Sequence, residues 1–174
     1  WLLAQLGQKG AEVVAALLKS DEEMTRATAF RALRISVPDI LPFAAQLQND
    51  PSAFVRREVA IALRDLPFEK TKSILMELAA QFDGGDRWYL NDVAAAMTGH
   101  EAEAYPQIKQ LLANDKTPVE WDDKMSMFAW RLHPAAALDD LLQRAEDGSL
   151  DAGERRTAVA AIAFIKDKEA AETM

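Results

Sequence analysis

The 174-residue chain contains no cysteine, only two histidines and no long apolar run. Without cysteine it has no disulfide, no thiolate metal site, no cysteine nucleophile and no CxxCH motif for haem attachment. No apolar run approaches the roughly 18 residues of a membrane-spanning helix. The motifs GxSxG, GxxxxGK(S/T) and HExxH are also absent. These absences remove the common signs of catalysis, and no cofactor is expected.

The chain also lacks a positive charge excess. It carries 20 basic and 28 acidic side chains, for a formal net charge of −8, so we expect no attachment to nucleic-acid phosphates. Residues 1–66 hold 8 side chains of each sign, whereas residues 67–174 hold 20 acidic and 12 basic ones. The excess of negative charge therefore belongs to the second part of the chain.

No segment alternates apolar and polar residues as a strand would, whereas helical spacing is clear. In residues 50–66, the apolar residues Val55, Val59, Leu63 and Leu66 fall on one helical stripe. This segment begins with Asp50, which can cap the helix, and the proline that follows suits the first position of the helix.

This helix is the unit of an internal repeat. Its small-then-apolar pair Ala62-Leu63 recurs at a step of 30 to 34 residues. The equivalent pairs are Ala32-Leu33, Ala96-Met97, Ala129-Trp130 and Ala161-Ile162. Two helices per step of this size indicate an α-solenoid. We therefore predict an all-α, right-handed α–α superhelix of about five helix pairs.

The repeat predicts a single domain over 1–174. Its helix pairs are expected at 8–35, 37–66, 67–98, 100–132 and 134–165, with the start of a further repeat at 167–174. Both ends look truncated, because Trp1, Leu2, Leu3 and Leu6 would lie partly exposed at the first end. We expect a fragment of a longer protein that contacts neighbouring domains or associates with itself through its open ends.

Asp50 and Arg56, six residues apart at the start of a VRxxVAxAL helix, resemble a HEAT repeat of the short bacterial kind. The resemblance implies an inter-repeat ladder of hydrogen bonds through Asp50 and Arg56. The other repeats depart from this pattern. Ser20/Arg26 and Ser149/Arg155 keep only the arginine, and Gly84/Leu90 has neither residue.

Three later segments resemble a more specific family: DRWYLNDVAAAM, AWRLHPAAALDDLLQRA and ERRTAVAAIAFI. They are similar to the HEAT-like middle of large exported bacterial proteins that also hold a sugar-dehydrogenase-like β-propeller and a haem-c domain. The resemblance implies export to the periplasm and redox chemistry in the other domains. It also implies that this stretch is a non-catalytic scaffold that binds a protein partner or neighbouring domains.

Few polar residues suggest a site. His100 and His133 lie 33 residues apart, without the i, i+4 spacing of metal ligands, and are interpreted as turn residues near helix ends. Residues 83–86 (DGGD) supply too few carboxylates for calcium, so we expect a turn in which Asp86 caps the next helix. The pairs Asp122-Asp123 and Asp139-Asp140 are expected on solvated helix faces.

The tryptophans are interpreted mainly as core residues. Trp130 takes the place of Leu63 in the repeat, and Trp88 that of Phe54 near the start of its helix. Trp121 is left between core packing and ligand stacking, since the repeat places it beside Trp88.

One pattern carries functional content, namely a basic stripe along the inner helices, which are the second helices of each pair. Its members are Arg31, Arg34, Arg57, Arg64, Lys124, Arg131 and Arg156. If these helices line the concave surface of the superhelix, the stripe would attract an acidic partner segment. Alternatively, each arginine pairs with a nearby carboxylate of its own helix, as Arg57 lies beside Glu58 and Arg64 beside Asp65, which would leave little net field.

The leading hypothesis is therefore a non-catalytic protein-interaction scaffold, without nucleic-acid or membrane partners. The alternative is an enzyme that uses the stripe, like the DNA glycosylases or bilin lyases built from HEAT-like repeats. Such a glycosylase uses a catalytic aspartate flanked by aromatic side chains, which the stripe lacks.

Overall fold

A computed structural model describes Leu2 and residues 7–166, apart from the side chain at position 8. These residues contain ten α-helices and no β-strand, which confirms the predicted all-α class. The helices are α1 (Gly7–Ala16), α2 (Glu23–Ser36), α3 (Leu41–Leu47), α4 (Ala53–Leu63), α5 (Phe68–Ala80), α6 (Arg87–Ala95), α7 (Glu101–Leu112), α8 (Asp123–Leu132), α9 (Leu138–Glu146) and α10 (Ala152–Phe164). Three short 3₁₀ turns join them, at Leu17–Lys19, Pro118–Glu120 and Ala135–Ala137. The predicted start of a further repeat at 167–174 lies outside the described residues, as do Trp1, Leu3 and Leu6 of the expected exposed end. Leu2 is exposed.

The chain divides into two compact units, Trp1–Leu78 and Ala79–Met174, with the division inside α5. In the first unit, α2 packs against both α1 and α4, and α3 packs against α4. In the second, α8 packs against α6 and α10, while α7 pairs with α8 and α9 with α10. Each unit is thus built from helical hairpins whose second helices lie side by side. A single repeat domain over the whole chain stays a prediction.

The core of the first unit follows the apolar stripe predicted for α4. Val55, Val59 and Leu63 are all fully buried. Leu66 is only half-buried, because α4 ends at Leu63. The expected cap is wrong: the helix begins at Ala53, and the Asp50 carboxylate accepts a hydrogen bond from the Ser52 N–H at 2.9 Å, outside the helix.

The core of the second unit is organised around Phe82. This ring stacks on Tyr89 with centroids 6.4 Å apart, and meets Phe128 edge to face at 5.5 Å. All three rings are buried. Stacked and edge-to-face pairs of this kind stabilise a core beyond their apolar area, so aromatic packing ties the loop before α6 to α6 and α8.

Two backbone features lie at the ends of α6, and the first confirms the predicted cap at Asp86. The Asp86 carboxylate accepts hydrogen bonds from the N–H groups of Trp88 and Tyr89, both at 3.0 Å, and so caps α6. Gly99 adopts φ +85° after α6, where a residue with a side chain would be strained.

Two capping-box patterns in the sequence do not cap the α-helices that follow them. The box of Thr117 and Glu120 closes the 3₁₀ turn, and α8 begins later with Asp122 as its cap, 3.1 Å from the Met125 N–H. Ser20 accepts from the Glu22 N–H at 3.2 Å and forms no box with α2. In each case the polar residue bonds the backbone within its own loop.

The register predicted for α8 is wrong by one residue. Its buried side chains are Met125, Phe128, Ala129 and Leu132, so Phe128-Ala129 replaces Ala129-Trp130 as the equivalent of Ala62-Leu63. One residue turns a helix by about 100°. Trp130 consequently takes the position of Arg64, at the edge of the core, and is half-exposed.

Candidate partner-binding surface

The first unit holds four members of the basic stripe, and Arg31, Arg34 and Arg64 form salt bridges there. Arg31 binds both oxygens of Glu58 on α4, with Nε–Oε2 at 2.7 Å and Nη2–Oε1 at 2.5 Å. The Glu58 carboxylate accepts these hydrogen bonds, which raise the pKa of Arg31, and its negative charge raises that pKa further. The Arg31 guanidinium also lies 5.5 Å from the centre of the Phe54 ring.

Asp65 lies between the next two arginines. Its carboxylate is 3.1 Å from Arg34 Nη2 and 3.4 Å from Arg64 Nε. Arg57, the fourth member, is half-exposed. Two carboxylates therefore lie among the four arginines of the stripe in this unit. The pairing differs in part from the expected one within each helix, because Glu58 and Asp65 bind Arg31 and Arg34 of α2.

Next to the stripe, a buried ion pair joins α2 to the loop before α4. Arg26 donates from Nε to Asp50 Oδ2 and from Nη2 to Asp50 Oδ1, both at 2.7 Å. Its Nη1 donates to the carbonyl oxygens of Ser20 and Asp21, at 2.8 and 3.0 Å. The hydrogen bonds of Asp50 raise the pKa of Arg26. Such bidentate pairing fixes the relative position of the two hairpins.

Arg56 holds the backbone of its own loop. Its Nη1 donates to the carbonyl oxygens of Asp50 and Pro51, at 2.7 and 3.2 Å. Arg56 thus repeats for α4 the bonds that Arg26 makes at the start of α2. The Asp50 carboxylate faces Arg26 of the preceding hairpin.

In the second unit the stripe has a different electrostatic setting. Arg131 Nε donates to the side-chain oxygen of Asn91 at 2.9 Å, and Arg156 Nε donates to the carbonyl oxygen of Ala152 at 3.1 Å. Both acceptors are neutral. Arg87, on α6, is exposed. Among the described residues no carboxylate forms a salt bridge with Arg87, Arg131 or Arg156.

Lys124, the remaining member, lies beside the turn at residues 83–86. Asp83 Oδ1 accepts hydrogen bonds from the backbone N–H groups of Asp86 and Gly85, both at 2.8 Å. These bonds lower the pKa of Asp83, and the charge of Lys124 lowers it further. The turn predicted for residues 83–86 is confirmed.

A shallow groove of about 330 Å³ lies between Arg87 and Arg156. Arg87 of α6, Met127 and Trp130 of α8, and Arg156 and Ala160 of α10 line it, among others. Trp130 and Met127 also line an adjoining depression of about 220 Å³, which contains Asp123, Asp151 and Glu154. Trp130 therefore separates a basic end from an acidic end.

The interpretation of the tryptophans as core residues is wrong for two of the three. Trp130 is half-exposed in the groove, and Trp88 is 69% exposed. Trp121 is buried, 5.8 Å from the cations of both Lys109 and Arg144. Its indole N–H has no hydrogen-bond partner in the described part of the chain.

The sequence interpretation missed a polar network on α9. Asp140, expected on a solvated face, accepts from Tyr105 Oη at 2.7 Å and from Lys109 Nζ at 2.7 and 2.8 Å. Burial and then the bond to Asp140 raise the pKa of Tyr105. Arg144, one turn after Asp140, donates to the Pro118 carbonyl and to Glu154, at 2.5 and 3.1 Å. Asp140 follows Lys109 by 31 residues and Tyr105 by 35, which is close to the repeat step of 30 to 34. This spacing was the one signal in the sequence that could have indicated the network.

The histidines occupy turns, as predicted. His100 precedes the first residue of α7, and His133 ends α8 at φ +31° with its Nδ1 2.9 Å from the Trp130 carbonyl oxygen. In the described part of the chain, no three His, Asp or Glu side chains come together as metal ligands. Over the same residues, none of the helices combines the length and apolar character that crossing a membrane requires.

Comparison with known proteins gives one result. Residues 10–90 match the family model of HEAT repeats. Neither the curated proteins nor the solved structures contain a significant match. HEAT repeats generally serve as scaffolds or protein-interaction modules. The matched residues and the helical hairpins together support a HEAT-like repeat architecture over residues 10–90.

Proposed function

We propose that this protein is a non-catalytic interaction module, and that the groove around Trp130 binds an acidic segment of a protein partner. One observation carries the proposal: Arg87 and Arg156 line the groove, and neither forms a salt bridge among the described residues. Asp151 lies near enough to Arg156 for the charge of the arginine to lower the pKa of the Asp151 carboxyl. The equivalent surface of the first unit is offset by Glu58 and Asp65. A partner carboxylate would therefore meet, at the groove of the second unit, two arginines that form no salt bridge among the described residues.

Charge supports recognition as well as affinity. The chain as a whole is acidic, with a net charge of −8. An acidic segment would be repelled by most of its surface and attracted locally by Arg87, Arg131 and Arg156. Such attraction mainly raises the association rate, and it is screened beyond about 8 Å at physiological salt.

The apolar floor of the groove supports binding of a side chain between the charges. Trp130 presents an indole face, and Met127 adapts readily to the shape of a contact. Tryptophan and arginine are also the residue types that most often dominate the binding energy of an interface. The partner segment is thus expected to combine carboxylates with at least one large apolar side chain.

The test uses a fluorescein-labelled peptide of alternating glutamate and leucine as the probe, with fluorescence anisotropy as the readout. The variant Arg87→Glu/Arg156→Glu should weaken binding by at least about tenfold, because two favourable charge contacts become repulsive. Arg34→Glu/Arg64→Glu is the matched control, since it makes the same change of charge in the first unit. It should change affinity by less than about threefold.

Circular dichroism should show unchanged folding of both variants. Equal loss of binding in the two variants would mean that net charge alone governs the interaction, and the groove would be rejected. The enzyme alternative predicts another result. Duplex DNA would shift in a gel at low salt, and Arg131→Glu would abolish the shift.

A second part of the proposal concerns context. The sequence resemblance to exported multidomain proteins supports a role as a spacer and docking surface inside a larger protein, with the neighbouring domains as partners. Sequencing the reading frame on both sides of these 174 residues tests it. Propeller-like and haem-binding sequences on either side are expected, and their absence would contradict this part alone.

A further inference from the structure

The contact between α6 and α8 includes a hydrogen bond from an arginine to a neutral side chain. Arg131 Nε donates to the side-chain oxygen of Asn91 at 2.9 Å, and both side chains are half-buried. In the first unit the contact between α2 and α4 uses a carboxylate instead, since Glu58 binds Arg31. The bond to Asn91 therefore fixes the guanidinium of Arg131 without cancelling its charge.

Several N–H groups of this pair have no acceptor. An arginine Nε can only donate, so the Asn91 oxygen faces it and the amide NH2 group is directed elsewhere. Neither that NH2 group nor Nη1 and Nη2 of Arg131 has a hydrogen-bond partner among the described residues. None of these nitrogens is buried, because the buried unpaired nitrogens of the described side chains are Trp121 Nε1 and Arg155 Nε. They are thus able to donate to a carboxylate that approaches from solvent.

The pair lies one helical turn beyond the groove around Trp130. Asn91 follows Arg87 by four residues on α6, and Arg131 follows Met127 by four on α8. Residues four apart share one face of a helix and are separated by about 6 Å along its axis. Arg87 and Met127 both line the groove. The basic surface of the groove therefore continues along both helices to Asn91 and Arg131.

We propose that Asn91 is a positioning residue for the acidic partner segment, and that it holds Arg131 for a second carboxylate about 6 Å from the one bound by Arg87. This inference rests on the proposed function, because it assigns a further contact to the same segment. In an extended segment, side chains two residues apart lie on one face at a spacing of about 7 Å. The partner that fits is thus an extended segment with acidic residues at alternate positions.

The first experiment measures the binding of the fluorescein-labelled glutamate–leucine peptide to Asn91→Asp by fluorescence anisotropy. Aspartate keeps the acceptor oxygen and nearly the same shape, but its charge offsets that of Arg131, so Kd should rise at least about fivefold at low salt. Asn114→Asp is the matched control, because the Asn114 oxygen also accepts a side-chain hydrogen bond, from Gln110 at 3.1 Å, and the residue is exposed after α7. It should change Kd by less than about twofold.

The second experiment separates recognition from a purely structural role of Asn91 and Arg131. Each glutamate of the peptide is replaced in turn by glutamine, and each peptide is tested with Arg131→Gln. For the glutamate that binds at this pair, the two changes together should weaken binding little more than either change alone. The other replacements should add independently to the effect of Arg131→Gln. A structural role would instead lower the affinity for every peptide by the same factor.

The outcomes distinguish this inference from the proposed function. A wild-type chain that does not bind the peptide would overturn both. If the wild type binds through Arg87 and Arg156, but Asn91→Asp changes Kd no more than Asn114→Asp does, the inference alone is wrong. The inference also fails if no glutamate of the peptide is coupled to Arg131.

Discussion

At the scale of single residues, the environment of an arginine depends on the hairpin that follows it. Arg26 and Arg155 share one register, yet Asp50 binds the first bidentately, while the buried Nε of the second has no hydrogen-bond partner among the described residues. The side-chain chemistry is the same in both. What differs is a carboxylate delivered by the next loop, so the ion pair is a property of repeat stacking.

This difference makes Asp50→Ala a specific prediction. The substitution leaves Arg26 buried and charged without a counter-ion, because the two side chains are only 10% and 4% exposed. Breaking such a pair typically costs about 3–5 kcal/mol. Urea unfolding followed by circular dichroism measures the loss.

Asp65→Ala is the matched control for Asp50→Ala. Its carboxylate also pairs with arginine, but it is 61% exposed, so a loss below about 1 kcal/mol is expected. Similar losses for Asp50 and Asp65 would contradict the view that burial gives the Arg26–Asp50 pair its importance.

At the scale of secondary-structure elements, each second helix of a hairpin is positioned by one buried stripe. In α4 this stripe is Val55, Val59 and Leu63, supported by small residues that allow close packing. In α8 the stripe is displaced by one residue, which brings Trp130 to the groove. The same small shift thus decides whether a large aromatic side chain packs in the core or lines a surface groove.

The register of α4 leads to a quantitative prediction for Leu63→Ala. Leu63 is fully buried, so its truncation removes apolar contacts and leaves a cavity. The expected loss of unfolding free energy is about 2–5 kcal/mol in a urea titration.

Ile35→Ala serves as the control for Leu63→Ala, because Ile35 is 65% exposed near the end of α2. It should change stability by less than about 0.5 kcal/mol. A loss that small for Leu63 as well would mean that the stripe assigned to α4 is not the core of the first unit.

At the scale of the whole molecule, the acidic excess is partly stabilised by local backbone contacts. Backbone N–H groups lower the pKa of Asp151, with a smaller effect from the charge of Arg156. The Ser149 hydroxyl and N–H likewise lower the pKa of Asp147, and backbone N–H groups lower that of Asp83. These carboxyl groups bind protons less readily when the chain is folded than when it is unfolded.

The consequence is a predicted loss of stability in acid. Each pKa lies below the ordinary value of 3.8, so the unfolded chain binds more protons as the pH falls through that range. The contribution is complete above about pH 5 and disappears as the pH falls through the lowered values. Urea midpoints measured from about pH 6 down to about pH 2 should therefore decrease, most steeply below about pH 4.

The variant Asp83→Asn/Asp147→Asn/Asp151→Asn should show a shallower decrease, because asparagine cannot titrate. An unchanged slope in this triple variant would contradict the role given to these three carboxylates.

The sequence alone determined the features that depend on neighbouring residues. Helical spacing predicted the all-α class and the buried stripe of α4, and the repeat step indicated HEAT-like hairpins, which the family match over residues 10–90 supports. The cap at Asp86 and the positive φ of Gly99 were predictable for the same reason. Each requires only a few consecutive residues, so its physical cause is already present in the local sequence.

Only the tertiary structure decided which side chains meet across hairpins. It assigned the Asp50 carboxylate to Arg26, paired Asp140 with Tyr105 and Lys109, and left Arg87 and Arg156 facing a groove without carboxylates among the described residues. These outcomes depend on the rotation of each helix about its axis, where one residue amounts to about 100°. A pattern that locates a helix to within a residue or two cannot decide whether Trp130 is buried in the core or lines a surface groove.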